Sequence, residues 1–433
     1  MKKPGYQFVS LLLLIVFSGS ILAIDKKQQT IPKDEAEQLF SSHKQSIFQI
    51  RVIELATGNK AAIGSGFLVD KRGYIATNFH VVSGYVHQPT RYRLEYATVD
   101  GDTGPLQLMD IDVVHDLAIA KGEVKTKNVK ALALGHSKMP NGTRIFSLGN
   151  PHDLGLSVVE GTYNGLLEKS LFDKIFFSGS LNPGMSGGPT LNRRGRVVGI
   201  NVSTAGNQVS FLVPVDFLKT LLAELKPDSE TAEPNFEKRI EQQLFDHQQK
   251  FVSELVSTDW ETTTLGPFRL PGSIHDIFKC WGDSDDDREA LIDHAYSNCF
   301  SEDQIYLAQR FTTGGLAYTY DLYRSKDLGS LHFYNLYSTE YGHTIRVNSA
   351  NKDEVENFEC HMDFVSFAEK DWKISLCARK YIKYPLLYDV TAAIALVSEN
   401  DIGLIIQFAA SGVGRETAFS LTRKFIQHIS WQQ

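Results

Sequence analysis

Short apolar bursts broken by Gly, Asn, Asp and Pro fill the first half of the chain, and helical spacing shows in only a few places. Lys33 to Gln49 carries Ala36, Leu39 and Phe40 at helical spacing, which predicts a helix and makes residues 24–44 an N-terminal helical segment. From Phe48 to Leu222 the bursts read as strands: Ser65 to Val69, Gly73 to Thr77, Leu117 to Ala120, Thr143 to Leu148, Lys174 to Phe177 and Arg196 to Ile200. Many short strands with turn signals between them predict a closed β architecture without exposed sheet edges.

The pattern changes again after residue 225. Residues 226–235 are polar, proline-flanked and free of large apolar groups, so they read as a linker. Beyond it, Phe236, Ile240, Leu244, Phe251 and Leu255 mark one face of a helix running to about Ser257. Strands are expected at Leu331 to Tyr337, Thr391 to Val397 and Ile402 to Phe408, and a closing helix at Ala418, Leu421, Phe425 and Ile429. The chain has no internal repeat. Residues 236–433 therefore form an expected α+β C-terminal domain.

At the N-terminus, Met1-Lys2-Lys3 precedes an apolar run from Leu11 to Phe17 and the small-residue end Ile21-Leu22-Ala23. This is the layout of a signal peptide, residues 1–23. The run is broken by Ser10, Ser18, Gly19 and Ser20 and falls short of the roughly 20 residues that span a bilayer. A periplasmic or secreted protein with no stable membrane span after cleavage is the expectation.

Composition adds limits. The 433 residues are 42% hydrophobic and 22% charged, which suits a globular chain of more than one domain. The net charge of -7 is not gathered into a block, so nucleic acid is not implied as a partner. All four cysteines, Cys280, Cys299, Cys360 and Cys377, lie in the last third, and an exported chain with an even count predicts disulfides. Phe358 to Phe367 and Trp372 to Ala378 look like a hairpin that brings Cys360 to Cys377, leaving Cys280 for Cys299. The spacing lacks the paired pattern of a zinc site, and no metal or cofactor is called for. Asp283-Ser284-Asp285-Asp286-Asp287 opens like a calcium loop, but the sixth and twelfth positions are Arg288 and His294, so it reads as a solvated acidic turn.

The chemistry concentrates at Asn182-Pro183-Gly184-Met185-Ser186-Gly187-Gly188-Pro189. Small residues let the backbone bend so that a Ser hydroxyl projects while the N–H groups of Gly184 and Ser186 converge on one point, as an oxyanion hole requires. A serine needs a general base held by a carboxylate. His80 follows the strand-like Gly73 to Thr77, and Asp116 precedes Leu117-Ala118-Ile119. Of 13 histidines, His87, His115, His136 and His152 are the near rivals, and Asp110 and Asp112 compete for the acid. Spacing alone does not exclude these acids. The order His, Asp, Ser is that of chymotrypsin-like enzymes.

Gly64 to Val69, Gly73 to Val82, Asp116-Leu117-Ala118-Ile119, Leu148-Gly149-Asn150-Pro151, Asn182 to Pro189 and Gly199-Ile200-Asn201 together resemble the motif series of HtrA/Deg-type trypsin-like serine peptidases, over about residues 45 to 222. The resemblance implies a mainly β, chymotrypsin-like double barrel over residues 45–225, with His80 and Asp116 on the first barrel, Ser186 on the second and the site between them. It also prefers His80 and Asp116 over their neighbours, because the family places its histidine before Val-Val and its acid before Leu-Ala. By the same similarity, Ile200, Asn201, Val202, Ser203 and Thr204 wall the pocket for the residue before the scissile bond, P1, and Ser180 lies near its base. No carboxylate is apparent there, so a small or medium apolar P1 residue is expected.

These residues point to a secreted endopeptidase acting on exposed or unfolded protein segments through an acyl-enzyme on Ser186. The alternative is a protease-like scaffold of the cell envelope that binds peptides or docks a partner with little turnover. The tail departs from the family: residues 236–433 hold no Gly-Leu-Gly-Phe-like segment of a PDZ domain. That domain is the candidate surface for self-assembly or for an envelope-protein partner.

Overall fold

A computed structural model of the chain describes residues 34–124, 129–167, 169–225, 235–285, 290–343, 345 and 348–432. The expected signal peptide, nearly all of the linker and the acidic residues Asp286 and Asp287 lie outside the described residues.

α1 (Glu35–His43) buries Leu39 and stops short of the end its spacing predicts. The reason is Ile47, where β1 (Ile47–Glu54) begins: Phe48, Ile50 and Val52 enter one core while Ile47 enters another, a period of two that no helix supplies. β1 closes into a barrel with β2 (Lys60–Leu68), β3 (Tyr74–Thr77), β4 (Tyr92–Ala97), β5 (Thr103–Asp112) and β6 (Leu117–Gly122), in the order β1-β2-β3-β6-β5-β4. α2 (Phe79–His87) leaves β3 and buries Phe79, Val82 and Val86 against this barrel's core.

A second barrel of order β10-β11-β12-β9-β8-β7 follows, from β7 (Thr143–Gly149), β8 (Ser157–Leu166), β9 (Ile175–Ser178), β10 (Pro189–Asn192), β11 (Val197–Gly206) and β12 (Val209–Pro214). The seam between the barrels is apolar: Phe67, Tyr74 and Leu117 of the first pack with Phe146, Leu148 and Ile200 of the second. α3 (Val215–Glu224) adds Val215, Leu218 and Leu221 to it. The expected double barrel is therefore present, and a filled seam holds the two halves of the cleft in fixed relation.

α4 (Phe236–Ser257) spans the length its apolar spacing predicts, and Asn235 caps it by accepting from the Lys238 N–H at 3.0 Å. It serves two cores. Ile240 and Leu244 pack into the first barrel's cluster, whereas Phe251, Val252 and Leu255 belong to a core further along the chain. Gln243 on this helix accepts from the Val113 N–H at 2.9 Å and donates to the Ile111 carbonyl at 2.7 Å, so it grips the chain just before Asp116.

The C-terminal region is β-rich, with helices on its main sheet. After the hairpin of β13 (Thr262–Leu265) and β14 (Phe268–Pro271) come β15 (Phe278–Ser284), β16 (Ile292–Ser301), the small hairpin of β17 (Ile305–Ala308) and β18 (Phe311–Thr313), and β19 (Leu316–Ser325). α5 (Ser330–Tyr341), β20 (Glu359–Phe367), β21 (Lys370–Lys380), β22 (Tyr388–Leu396), β23 (Ile402–Val413), α6 (Arg415–Gln427) and β24 (Ser430–Trp431) complete it. Seven antiparallel strands run in the order β15-β16-β19-β23-β22-β21-β20, and β24 returns to pair with β14. Along β23, Leu404, Ile406 and Phe408 face the core shared with α4 and α6, while Ile405 faces Phe333 and Tyr337 of α5.

The stretch Leu331 to Tyr337, expected as a strand, is part of helix α5. Phe333 and Tyr337 are four residues apart, and their rings stack at 5.8 Å in the interior, while Leu331 is exposed. The cysteines pair as expected, Cys280 with Cys299 and Cys360 with Cys377, each across two neighbouring strands. Among the described residues no helix is long and apolar enough to cross a membrane.

Candidate active site

The short strand β3 delivers Asn78 and His80 to the start of α2, and the turn between β5 and β6 delivers Asp116 opposite them. Asp116 holds a left-handed backbone, φ 56°, a conformation Asp tolerates better than most residues. In that pose its carbonyl accepts from the Asn78 side chain at 2.8 Å. Its carboxylate takes two bonds from one partner, 2.7 Å from the His80 backbone N–H and 2.6 Å at His80 Nδ1. Two bonds from one carboxylate fix the imidazole's orientation and keep the proton on Nδ1, which leaves Nε2 as the lone-pair nitrogen. Burial alone would push the imidazole down, but the charge and hydrogen bond of Asp116 outweigh it, and the net shift is upward.

The rivals other than His152 have partners of their own. Asp112 bonds His115 Nδ1 at 2.7 Å, and the His115 ring lies flat on Phe217 with centroids 3.6 Å apart. Asp110 faces Arg239 of α4 at 3.2 Å, and burial pushes its carboxyl up. His87 Nε2 meets the Leu307 carbonyl at 2.8 Å, and His136 Nδ1 lies 3.5 Å from Lys219 Nζ.

Ser186 sits in the tight loop ahead of β10. The Met185 N–H bonds the Asn182 carbonyl at 3.0 Å and the Gly187 N–H bonds the Asn201 carbonyl at 2.9 Å. The N–H groups of Gly184 and Ser186, one before Met185 and one after it, have no acceptor among the described residues. The orientation of the Gly184 N–H follows from one bond: His152 N–H donates to the Pro183 carbonyl at 2.8 Å. In a trans peptide the C=O and N–H point opposite ways, so the Gly184 N–H faces away from His152. Gly184 must be glycine here, with φ at 95° and an added Cβ only 2.3 Å from the Asn150 carbonyl oxygen. Ser186 Oγ donates to the Val202 carbonyl at 3.4 Å and makes no bond to His80.

A cavity of about 250 Å³ opens beside Ser186, lined by Leu181, Asn182, Pro183, Asn201, Val202, Ser203 and Thr204 as well as Ser186 itself. Of the residues expected on its wall, Asn201, Val202, Ser203 and Thr204 are there. Ile200 is turned into the seam core, and Ser180, an exposed residue, is not in the lining. The Asn201 side chain faces inward, where it bonds Ser147, Thr190 and the carbonyls of Leu148 and Met185. Sequence reasoning missed Leu181 and Pro183; their place beside the Ser186 turn was the available signal. Among the described residues no three His, Cys, Asp or Glu side chains gather as a metal would need.

Residues 64–200 match the family model of the trypsin-like peptidase domain. The chain is 35% identical over 173 residues to serine protease HTRA1 of Xenopus tropicalis, a match covering 38% of this chain and 36% of that protein. It is 29% identical over 196 residues to the chloroplastic Protease Do-like 1 of Arabidopsis thaliana, covering 42% of each. The crystal structure of Deg5 aligns at 28% identity with a TM-score of 0.38, over 43% of this chain and 91% of its own. The chain thus spans less than half the length of the two curated relatives. Its first half carries a trypsin-like peptidase domain similar to those of serine protease HTRA1 and Protease Do-like 1.

Proposed function

We propose that this chain is an exported serine endopeptidase, working in the periplasm or outside the cell, that hydrolyses exposed or unfolded protein segments through an acyl-enzyme on Ser186. In this reading His80 Nε2 takes the Ser186 proton, Asp116 steadies the imidazolium that forms, and the N–H groups of Gly184 and Ser186 hold the oxyanion. The observation that carries it is the Pro183–Gly184 peptide, whose carbonyl is tied back to the His152 N–H so that the Gly184 N–H is turned the other way and stays free beside that of Ser186.

The hydroxyl must first turn from the Val202 carbonyl to His80. An extended peptide laid along Val202 to Thr204 offers its own N–H to that carbonyl and so releases the hydroxyl at the moment substrate arrives. Leu181, Pro183 and Val202 line the pocket without a carboxylate, which suits a small or medium apolar P1 residue.

A fluorophosphonate probe tests the reading. The wild-type protein becomes labelled and Ser186→Ala does not; a folded wild-type protein that stays unlabelled, or label that persists in Ser186→Ala, overturns it.

A further inference from the structure

The C-terminal region reaches the cleft. Its segment Asp303 to Leu307 runs from the second barrel to the first and is tied at both ends. At one end the Asp303 carboxylate accepts from Ser170 Oγ at 2.7 Å, from the Leu171 N–H at 2.8 Å and from Lys174 Nζ. At the other, the Leu307 carbonyl meets His87 Nε2 at 2.8 Å, and the buried Ile305 and Leu307 pack into the first barrel's core. Tyr306, between them, sets its ring edge-on to His80 with centroids 6.0 Å apart, and its hydroxyl lies 3.5 Å from Ser83 Oγ.

This strap does not close the cleft. Between it and the barrels lies a second cavity of about 320 Å³, whose apolar lining includes Val113, Val114, Phe172, Val202, Ile305 and Tyr306. The charge of Lys174 on its wall is met by Asp303, and its ammonium lies 4.5 Å from the Phe172 ring centroid. His115 and Asp173 complete the charged or titratable lining besides His80 and Asp116.

The two cavities share Val202 and Ser203, one holding Ser186 and the other His80. Successive side chains of an extended peptide point to opposite sides. With the P1 side chain in the pocket at Ser186, the residue before it, P2, therefore turns toward His80 and the second cavity. We propose that the strap Asp303–Leu307, chiefly through Tyr306, completes an apolar subsite for a large apolar P2 side chain, making the C-terminal region a specificity element of the peptidase. The inference rests on the peptidase reading above.

The test compares peptides that differ only at P2, Phe or Leu against Ala, with the wild-type protein, Tyr306→Ala, Tyr306→Phe and Phe172→Ala. Wild type favours the large residue by about tenfold in kcat/KM. Tyr306→Ala and Phe172→Ala, which each remove part of the apolar lining, bring the ratio close to one through KM, and Tyr306→Phe, which keeps the ring, retains it. A ratio unchanged in both alanine variants overturns the proposal. So does a uniform gain for all peptides in Tyr306→Ala, the mark of a plug. Absence of fluorophosphonate labelling in the wild-type protein removes the peptidase reading itself, before any ratio is measured.

Discussion

The Ser65 hydroxyl donates to the Gly184 carbonyl at 2.7 Å, from the first barrel to the loop that bears Ser186 on the second. The same oxygen accepts from the Asn150 N–H at 2.9 Å, and the Ser65 N–H bonds the Ser186 carbonyl at 2.7 Å. One fully buried residue thus ties the donors of the proposed oxyanion hole to the barrel that carries His80.

Ser65→Ala leaves the Gly184 carbonyl and the Asn150 N–H buried without this partner, a cost of about 1–3 kcal/mol. Urea unfolding should show a lower midpoint. Peptidase assays should show a fall in kcat of roughly tenfold or more, because the loop that holds the oxyanion donors loses its tether.

Gly184→Ala should be more damaging to activity than to the fold. Its Cβ would meet the Asn150 carbonyl oxygen, so the peptide must rotate and carry its N–H out of place. Steady-state kinetics should show kcat down by about 10²–10³ with KM little altered, the signature of an interaction made only in the transition state.

The pH profile follows from His80. General-base action needs the neutral imidazole, and Asp116 raises the pH at which the proton leaves. The acidic limb of kcat/KM should therefore lie above the ordinary histidine value of about 6.5. Asp116→Asn removes the raising charge and leaves burial, so the limb should move to lower pH while kcat falls by about 10⁴.

How much of this was open to sequence reading depends on the range of the signal. Ser186 stood out by its own glycine-rich turn, whereas spacing alone left Asp110 and Asp112 open, and His80 and Asp116 were preferred over their neighbours through the resemblance of the ordered motifs to the HtrA/Deg series. Leu331 to Tyr337 misled because its apolar residues alternate as well as recurring every four, and only packing against Ile405 decides for the helix. Tyr306 had no local mark at all. Its contact with Ser83 joins residues 223 positions apart, and nothing in the hairpin around it announces a cleft.

Acid should destabilise the fold through His247 on α4. Burial, and then the neighbouring His115, push its imidazole down to about 4, and its Nδ1 is buried without a partner. The unfolded chain keeps the ordinary value of about 6.5, so between that pH and about 4 the unfolded state binds more protons and stability falls as pH falls. The full effect is about 3 kcal/mol. Denaturant midpoints at pH 7.5 and 5 should differ in wild type, and His247→Gln, which takes up no proton, should narrow the gap.

The two disulfides occupy the rims of the seven-stranded sheet, Cys280–Cys299 joining β15 to β16 at one side and Cys360–Cys377 joining β20 to β21 at the other. Those outermost strands bury little, and β20 leaves Met362, Phe364 and Val365 exposed. An edge held by so little apolar burial can peel away and template another chain. Each disulfide pins an edge strand to its neighbour and so opposes that peeling; reduction should therefore harm this protein first through edge-to-edge aggregation, with the two barrels, which contain no cysteine, still intact.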